Sequence, residues 1–410
     1  MTCLECRSAG QRFFDARVTF AVIDPARGDS VEFPIVRFVP FLPGGVIMLF
    51  DKYSNSALSF SNRLVMAPMT RCRADHRDAV PNDLMVEYYR QRASAGAIVS
   101  EGVPVSDRAR GYVNTPALWN EAQAVGWRKI TDVVHAKGGN IFAQLWHCGR
   151  LSNSALHADK SPPAGVSAVA AKAKTYIPGP DGVPALAACE APKPLSTEEV
   201  KSVSGEFANA ARMAQKAGFD GVEIHGANGY LLDQFRCPVL NDRKDEYGGS
   251  LPNRYRLLLE VVDAVAGVYH PARIIVRQSP YGTNNDMQAD PDPLGTYPYL
   301  ARELDRRSIG FLHIYDQSVT WIHDATHPLM PALRAAYKGG LIACGGFRRE
   351  NGEALLARGN ADLIAVGKNF ISNPDLVERL RRNAELARWD QQTFFTGGRK
   401  GYVDYPALAA

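Results

Sequence analysis

The sequence predicts a single (β/α)₈ barrel, and three features predict it. From Asn62 onward, eight short runs rich in β-branched residues each precede a longer amphipathic run. The short runs are continuously apolar, as parallel strands covered on both faces must be, and the longer ones carry the 3.6-residue period of helices. The last two strand units end in glycines, Gly345-Gly346 and Gly367, where such barrels build a phosphate cradle from backbone N–H groups. A doubly wound open sheet is the alternative, but its G-x-G-x-x-G fingerprint after the first strand is missing.

The units follow in order. "NRLVMAP" precedes "PNDLMVEYYRQRASAG", "AIVSEG" precedes "EAQAVGWRKITDVVHAKGG", and "NIFAQLWH" leads through a long insertion to "STEEVKSVSGEFANAARMAQKAG". "GVEIHG" is followed by "LPNRYRLLLEVVDAVAGV", "ARIIVRQSP" by "LGTYPYLARELDRRS", and "FLHIYD" by "MPALRAAYKGG". "LIACGG" with "ENGEALLARGN" and "DLIAVG" with "NPDLVERLRRN" close the set. Ser196-Thr197-Glu198-Glu199 and Asn373-Pro374-Asp375 are helix start signals; Gly218 and Gly359 are stops. The insertion, residues 151 to 195, falls after strand three on the face where barrels carry active sites. Residues 1 to 47 match no unit and are expected to form a poorly structured extension to a barrel domain spanning residues 48 to 410.

Composition excludes several functions. The chain has 410 residues, 46% hydrophobic and 22% charged, which suits a folded globular protein rather than a fibre or a disordered chain. A net charge of +4, with basic residues interleaved with acids, argues against nucleic-acid binding. Seven scattered cysteines fit a reducing compartment, and Cys3-x-x-Cys6 lacks partner ligands. The N-terminus is polar where a signal peptide turns apolar, and "FVPFLPGGVIMLF" is too short to span a bilayer, so a cytoplasmic protein is expected.

Residues just past the strand ends point into a barrel's mouth. Here they are Pro68, Met69 and Thr70; Glu101 and Gly102; Gln144, Trp146 and His147; His225, Asn228 and Tyr230; Arg277; Gly345 and Gly346; and Gly367 and Lys368. Read on their own, the glycines of strands seven and eight either close tight turns or, with the Lys368 charge, hold a phosphorylated ligand. No carboxylate pair suits glycosidic chemistry, and no histidine–carboxylate cluster has metal spacing; His313, His323 and His327 read as surface or packing residues. Neutral hydrogen-bonders, one arginine and a tyrosine suit a cofactor that carries the chemistry itself.

"NRLVMAPMTR", "QLWHCGR", "AGFDGVEIHGANGYLLDQF", "NDRKDEYGGSLPNRYRLLLEVV", "GKNFISNPDLVERLR" and "TFFTGGRKGYVDYP" together resemble the Old Yellow Enzyme family, in order from about Met48 to Pro406. The resemblance implies a barrel that binds FMN, takes hydride from NADPH or NADH and reduces an electron-poor alkene. It implies that His225 and Asn228 hydrogen-bond the substrate oxygen and that Tyr230 protonates the carbon α to it. It further implies that Thr70, Gln144 and Arg277 contact the flavin, that backbone of Pro68, Met69 and Gly102 lines it, and that Gly345, Gly346, Gly367 and Lys368 hold its phosphate. Trp146 and Phe395 would shape the substrate pocket. Two positions depart from the family pattern: Lys368 stands where arginine is usual, and Phe395 replaces a common tyrosine. Related chains begin near "MLFDKYSNSAL", which makes Met48 the expected natural start. A monomer or homodimer is expected, and the physiological substrate stays open among enones, nitroesters and nitroaromatics; a flavin-binding barrel without turnover is the alternative, against which the intact His225, Asn228 and Tyr230 argue.

Overall fold

The computed structural model describes residues 21–23, 30–32, 47–75, 77–179, 183–395 and 397–408. The chain divides into two compact units, residues 1–46 and 47–410. Within the first, Ala21–Ile23 pairs antiparallel with Ser30–Glu32. The expectation of a poorly structured extension otherwise falls outside the described residues, as does the Cys3-x-x-Cys6 pair.

The second unit is built on a closed barrel of eight parallel strands. They are β1 (Leu64–Met66), β2 (Ala97–Pro104), β3 (Ile141–Trp146), β4 (Gly221–His225), β5 (Ile274–Gln278), β6 (Phe311–Tyr315), β7 (Gly340–Cys344) and β8 (Leu363–Val366), and β8 pairs with β1 to complete the circle. All eight occur where the apolar runs predict them. Every position of β1, β3, β4 and β5 is buried, because the barrel interior takes one face and the helical ring the other.

The eight outer helices are α1 (Asp83–Gln91), α2 (Glu121–His135), α3 (Thr197–Lys216), α4 (Leu251–Ala266), α5 (Pro293–Arg306), α6 (Leu329–Ala336), α7 (Arg349–Ala357) and α8 (Leu376–Arg382). Their starts have local causes. Ser196 accepts from the Glu199 N–H while Glu199 reaches back to the Ser196 N–H, a reciprocal capping box. Gly218 ends α3 at φ +82 and Gly359 follows α7 at φ +71, a region where a side chain would be strained. The Asn373-Pro374-Asp375 signal places the start of α8 correctly, although no side chain caps its first turn.

Inside the barrel, one end is filled by aromatic packing. The hairpin Tyr53–Ser54/Ser59–Phe60 sets the Phe60 ring 5.9 Å from Phe311 and 6.1 Å from Phe142. The opposite end is the mouth. The insertion after β3 forms a two-stranded hairpin, Lys174–Pro178 with Pro184–Ala188, and its flanks pack Ala171, Ala173 and Cys189 against Trp146 and Tyr230.

Candidate active site

The site is assembled by strand register. Partners on parallel strands share a face, and so do residues two apart on one strand. Glu223 is the partner of Gln144, His225 of Arg277, and Arg277 of His313. Glu223 and His225 therefore share one face of β4, and Gln144, Arg277 and His313 join them there, all at most 4% exposed.

His225 ends β4, and the turn that follows delivers the rest. Asn228 sits at φ +60, a left-handed conformation that asparagine tolerates better than most residues, and its N–H donates to Ser279 Oγ at 2.9 Å. Asn285 secures the same turn by donating from Nδ2 to the Asn228 carbonyl at 2.8 Å. Tyr230 then opens the short helix Leu231–Arg236 with its ring in the mouth, 5.0 Å from the His225 ring and edge-on to Trp146 at 4.8 Å. The sequence-predicted trio is thus brought together.

Burial decides the charge states. Burial and then the Arg277 charge hold the His225 imidazole well below its ordinary pKa, so it is neutral at physiological pH and acts as a hydrogen-bonder. Burial pushes the Tyr230 phenol up, while hydrogen bonds from Tyr112 and the Asn285 side chain oppose that rise. Tyr230 is accordingly a protonated donor.

Trp146 is buried at the end of β3. Its ring stacks on Tyr112 with centroids 5.5 Å apart, and a Cβ built on Gly102 would come within 2.3 Å of the indole. Gly102 follows a register shift in β2 between Val99 and Gly102. Only a glycine lets strand and indole approach this closely.

Several buried polar atoms around the mouth lack partners: His225 Nδ1, Asn228 Oδ1, Trp146 Nε1 and Arg277 Nε. Unpaired buried polar atoms are costly, so a cluster of them marks a surface shaped for a polar ligand. Pro68, Met69 and Thr70 follow β1 half-buried. On the adjoining strand ends Gly346 has φ +66, and a Cβ on Gly367 would meet nothing nearer than Met69 Sδ at 3.5 Å, leaving that backbone open to approach. A basic cleft of about 600 Å³, lined in part by Arg348, Asn369, Arg388 and Trp389, opens beside these strand ends.

Residues 50–387 match the family model described as NADH:flavin oxidoreductase / NADH oxidase. The chain belongs to this family, the Old Yellow Enzyme family. It is 40% identical to 12-oxophytodienoate reductase 2 of Arabidopsis thaliana over 88% of this chain and 96% of that one. Among solved structures, morphinone reductase superposes with a TM-score of 0.85 at 41% identity, covering 90% of this chain and 98% of that one. The Old Yellow Enzyme homologue from Zymomonas mobilis gives 0.82 at 38% identity, over 88% and 100%. Morphinone reductase has also been solved in complex with tetrahydroNAD.

For an Old Yellow Enzyme family member, the residues present fit FMN: unpartnered donors and acceptors ring the mouth, and an open glycine backbone lies beside a basic cleft. Three residues singled out in the sequence have surroundings that only the structure shows. Lys368 is exposed, with its ammonium 5.0 Å over the Trp389 ring rather than in a salt bridge. Phe395 is 39% exposed and packs against Tyr176 of the insertion hairpin at 6.1 Å. His313, read as a surface or packing residue, is fully buried, with Nδ1 2.6 Å from Glu223 Oε2.

A buried arginine such as Arg277 needs a compensating anion, and the Glu223 carboxylate lies close enough for the two charges to act on each other without any cofactor. Sequence reading missed Glu223, Tyr112 and Asn285. For Glu223 a signal existed, since it precedes His225 by two positions on the same strand face.

Proposed function

We propose that this chain is an NAD(P)H-dependent ene-reductase that reduces C=C bonds conjugated to a carbonyl or nitro group. The observation that carries the reading is the convergence of His225, Asn228 and Tyr230 at the mouth, with His225 Nδ1 unpartnered. Thr70, Gln144 and Arg277 would hold the flavin ring with backbone of Pro68, Met69 and Gly102. Gly345, Gly346, Gly367 and Lys368 would hold its phosphate, with the basic cleft alongside.

When bound, FMN supplies the hydride and recovers its electrons from a reduced nicotinamide. His225 and Asn228 donate to the substrate oxygen, on which negative charge grows as the β-carbon is reduced; donors placed in advance stabilise that charge more than the ground state. Tyr230 passes its phenolic proton to the α-carbon, so the alkene gains one hydride and one proton. Trp146 and the insertion keep water from the reacting carbons. NADPH and NADH both suit this reading, as do a reducing compartment and a monomer or homodimer.

The test uses the purified protein with FMN. NADPH under anaerobic conditions should bleach the flavin, and cyclohexenone should then restore the oxidised spectrum. A flavin that bleaches but does not recover would reject the alkene as substrate class. Protein that takes up no FMN would reject the whole reading.

A further inference from the structure

Just inside the mouth the barrel carries a polar group that the proposed chemistry does not use. Glu223 and His313 are both 0% exposed. Glu223 Oε2 lies 2.6 Å from His313 Nδ1, and Glu223 Oε1 accepts from Gln144 Nε2 at 2.8 Å. An ionised carboxylate only accepts, so the His313 proton is on Nδ1 and Nε2 is left as an acceptor with no partner. By the same logic the Gln144 amide is locked: its NH₂ faces Glu223, and Oε1 is the end left for another donor.

The carboxylate is charged. Burial works to raise its pKa, but His313, Arg277 and Gln144 outweigh burial and hold Glu223 below the usual carboxylate value. Arg277, which makes no ion pair among the described residues, has its guanidinium 5.1 Å over the Tyr315 ring. Glu223 therefore balances a buried positive charge that it does not touch.

Packing gives no reason for this arrangement. Val65, Val99, Ile275, Ile342 and Ala365 fill the same interior with apolar groups. A buried ion pair adds little stability over an apolar filling of the same volume.

We propose that Glu223 is a positioning residue for the flavin site: its carboxylate fixes the Gln144 amide with Oε1 free and offsets the Arg277 charge on the adjoining strand. The inference rests on the FMN reading above. Its consequence is electrical as well as geometric, because the reduced flavin is more anionic than the oxidised one and Arg277 favours it. Glu223 moderates that preference.

Two variants separate the geometric part from the electrical part. Glu223→Gln removes the charge, so reduced FMN should gain affinity relative to oxidised FMN by about tenfold, a rise of about 30 mV in the two-electron potential. Glu223→Asp keeps the charge but withdraws it from Gln144, so the potential should stay within that tenfold window while oxidised FMN binds about tenfold more weakly. Potentials come from dye-equilibrated titration of the holoenzyme, and affinities from flavin fluorescence. An unshifted potential in Glu223→Gln, or equal shifts in both variants, overturns the electrical part. Wild-type affinity in Glu223→Asp overturns the positioning part. Wild-type protein that binds no FMN would instead refute the function on which both rest.

Discussion

The phenol oxygens of Tyr112 and Tyr230 lie 3.2 Å apart, and both rings pack on Trp146, one stacked and one edge-on. Tyr112 reaches this position from the loop after β2 and Tyr230 from the turn after β4. A tyrosine that gives up its proton needs a neighbour to hold the charge left on its oxygen, and Tyr112 is placed to donate to it. Tyr112→Phe keeps the stacked ring and removes only that donor. One hydrogen bond to a charged oxygen contributes about 1.5–3 kcal/mol, so enone reduction should slow by about 10- to 100-fold. Stopped-flow traces should show flavin reduction by NADPH unchanged within about twofold. Tyr230→Phe should slow the enone step more and spare nitroalkenes, whose nitronate can leave the site and take its α-proton from bulk water. Equal losses in both half-reactions would remove Tyr230 from its role.

Asn228 combines a chemical part with a conformational one, and two substitutions separate them. At φ +60, glycine is relaxed and alanine is strained by about 1–2 kcal/mol. Asn228→Gly should therefore leave thermal stability near wild type while lowering kcat/KM for enones about 100-fold, the usual loss of one oxyanion donor. Asn228→Ala should show the same kinetic loss plus a fall of about 1–3 °C in Tm. If Asn228→Gly retained full turnover, the amide would not be touching the substrate oxygen.

How much of this is legible without the structure depends on the range of the forces involved. The eight strands, the helices and the strand-end residues follow from local periodicity and from the rule that a barrel's C-terminal rim carries its chemistry. His225, Asn228 and Tyr230 lie within six residues of one another, so the turn itself joins them. Glu223 and His313 are 90 residues apart and meet only because β4, β5 and β6 are neighbours whose inward faces share one interior. Tyr112 and Tyr230 are 118 apart, and their contact depends on which way two loops fold over Trp146. Lys368 shows the same limit at shorter range: the sequence places it at a strand end, but only the fold shows its ammonium over the Trp389 ring.

Gly102 makes a steric prediction. Its φ is not in the left-handed region, so the cost of Gly102→Ala comes from space alone: the new Cβ would fall 2.3 Å from Trp146 Cε3. The indole must move, and Tyr112 and Tyr230 both lean on it. Overpacking of this kind costs about 1–3 kcal/mol. Differential scanning calorimetry should record the loss, and Trp146→Leu in the same chain should recover at least about half of it. Additive destabilisation by the two changes would mean that the ring and the glycine are not in conflict.

Glu101 makes the pH prediction. It sits on β2 beside Gly102, 1% exposed; Oε2 accepts from the Arg71 N–H at 3.1 Å and Oε1 has no partner. Burial raises its pKa from 4.5 to about 7, and the Arg71 and Arg73 neighbours only partly oppose that. The folded state thus binds a proton more tightly than the unfolded chain. The stability this contributes is fully present below about pH 4.5 and is lost as pH rises through about 7. A shift of this size corresponds to about 3 kcal/mol across the window. Glu101→Gln carries no charge at any pH, so its unfolding free energy should lose that downward slope between pH 4.5 and 7. At pH 8 it should exceed wild type by about 1–3 kcal/mol, the lower end applying because the new amide N–H inherits the unpartnered position. Urea unfolding at pH 5 and pH 8 measures both quantities. Parallel pH profiles for variant and wild type would show that Glu101 is already ionised in the fold at neutral pH, with Arg71 and Arg73 outweighing its burial.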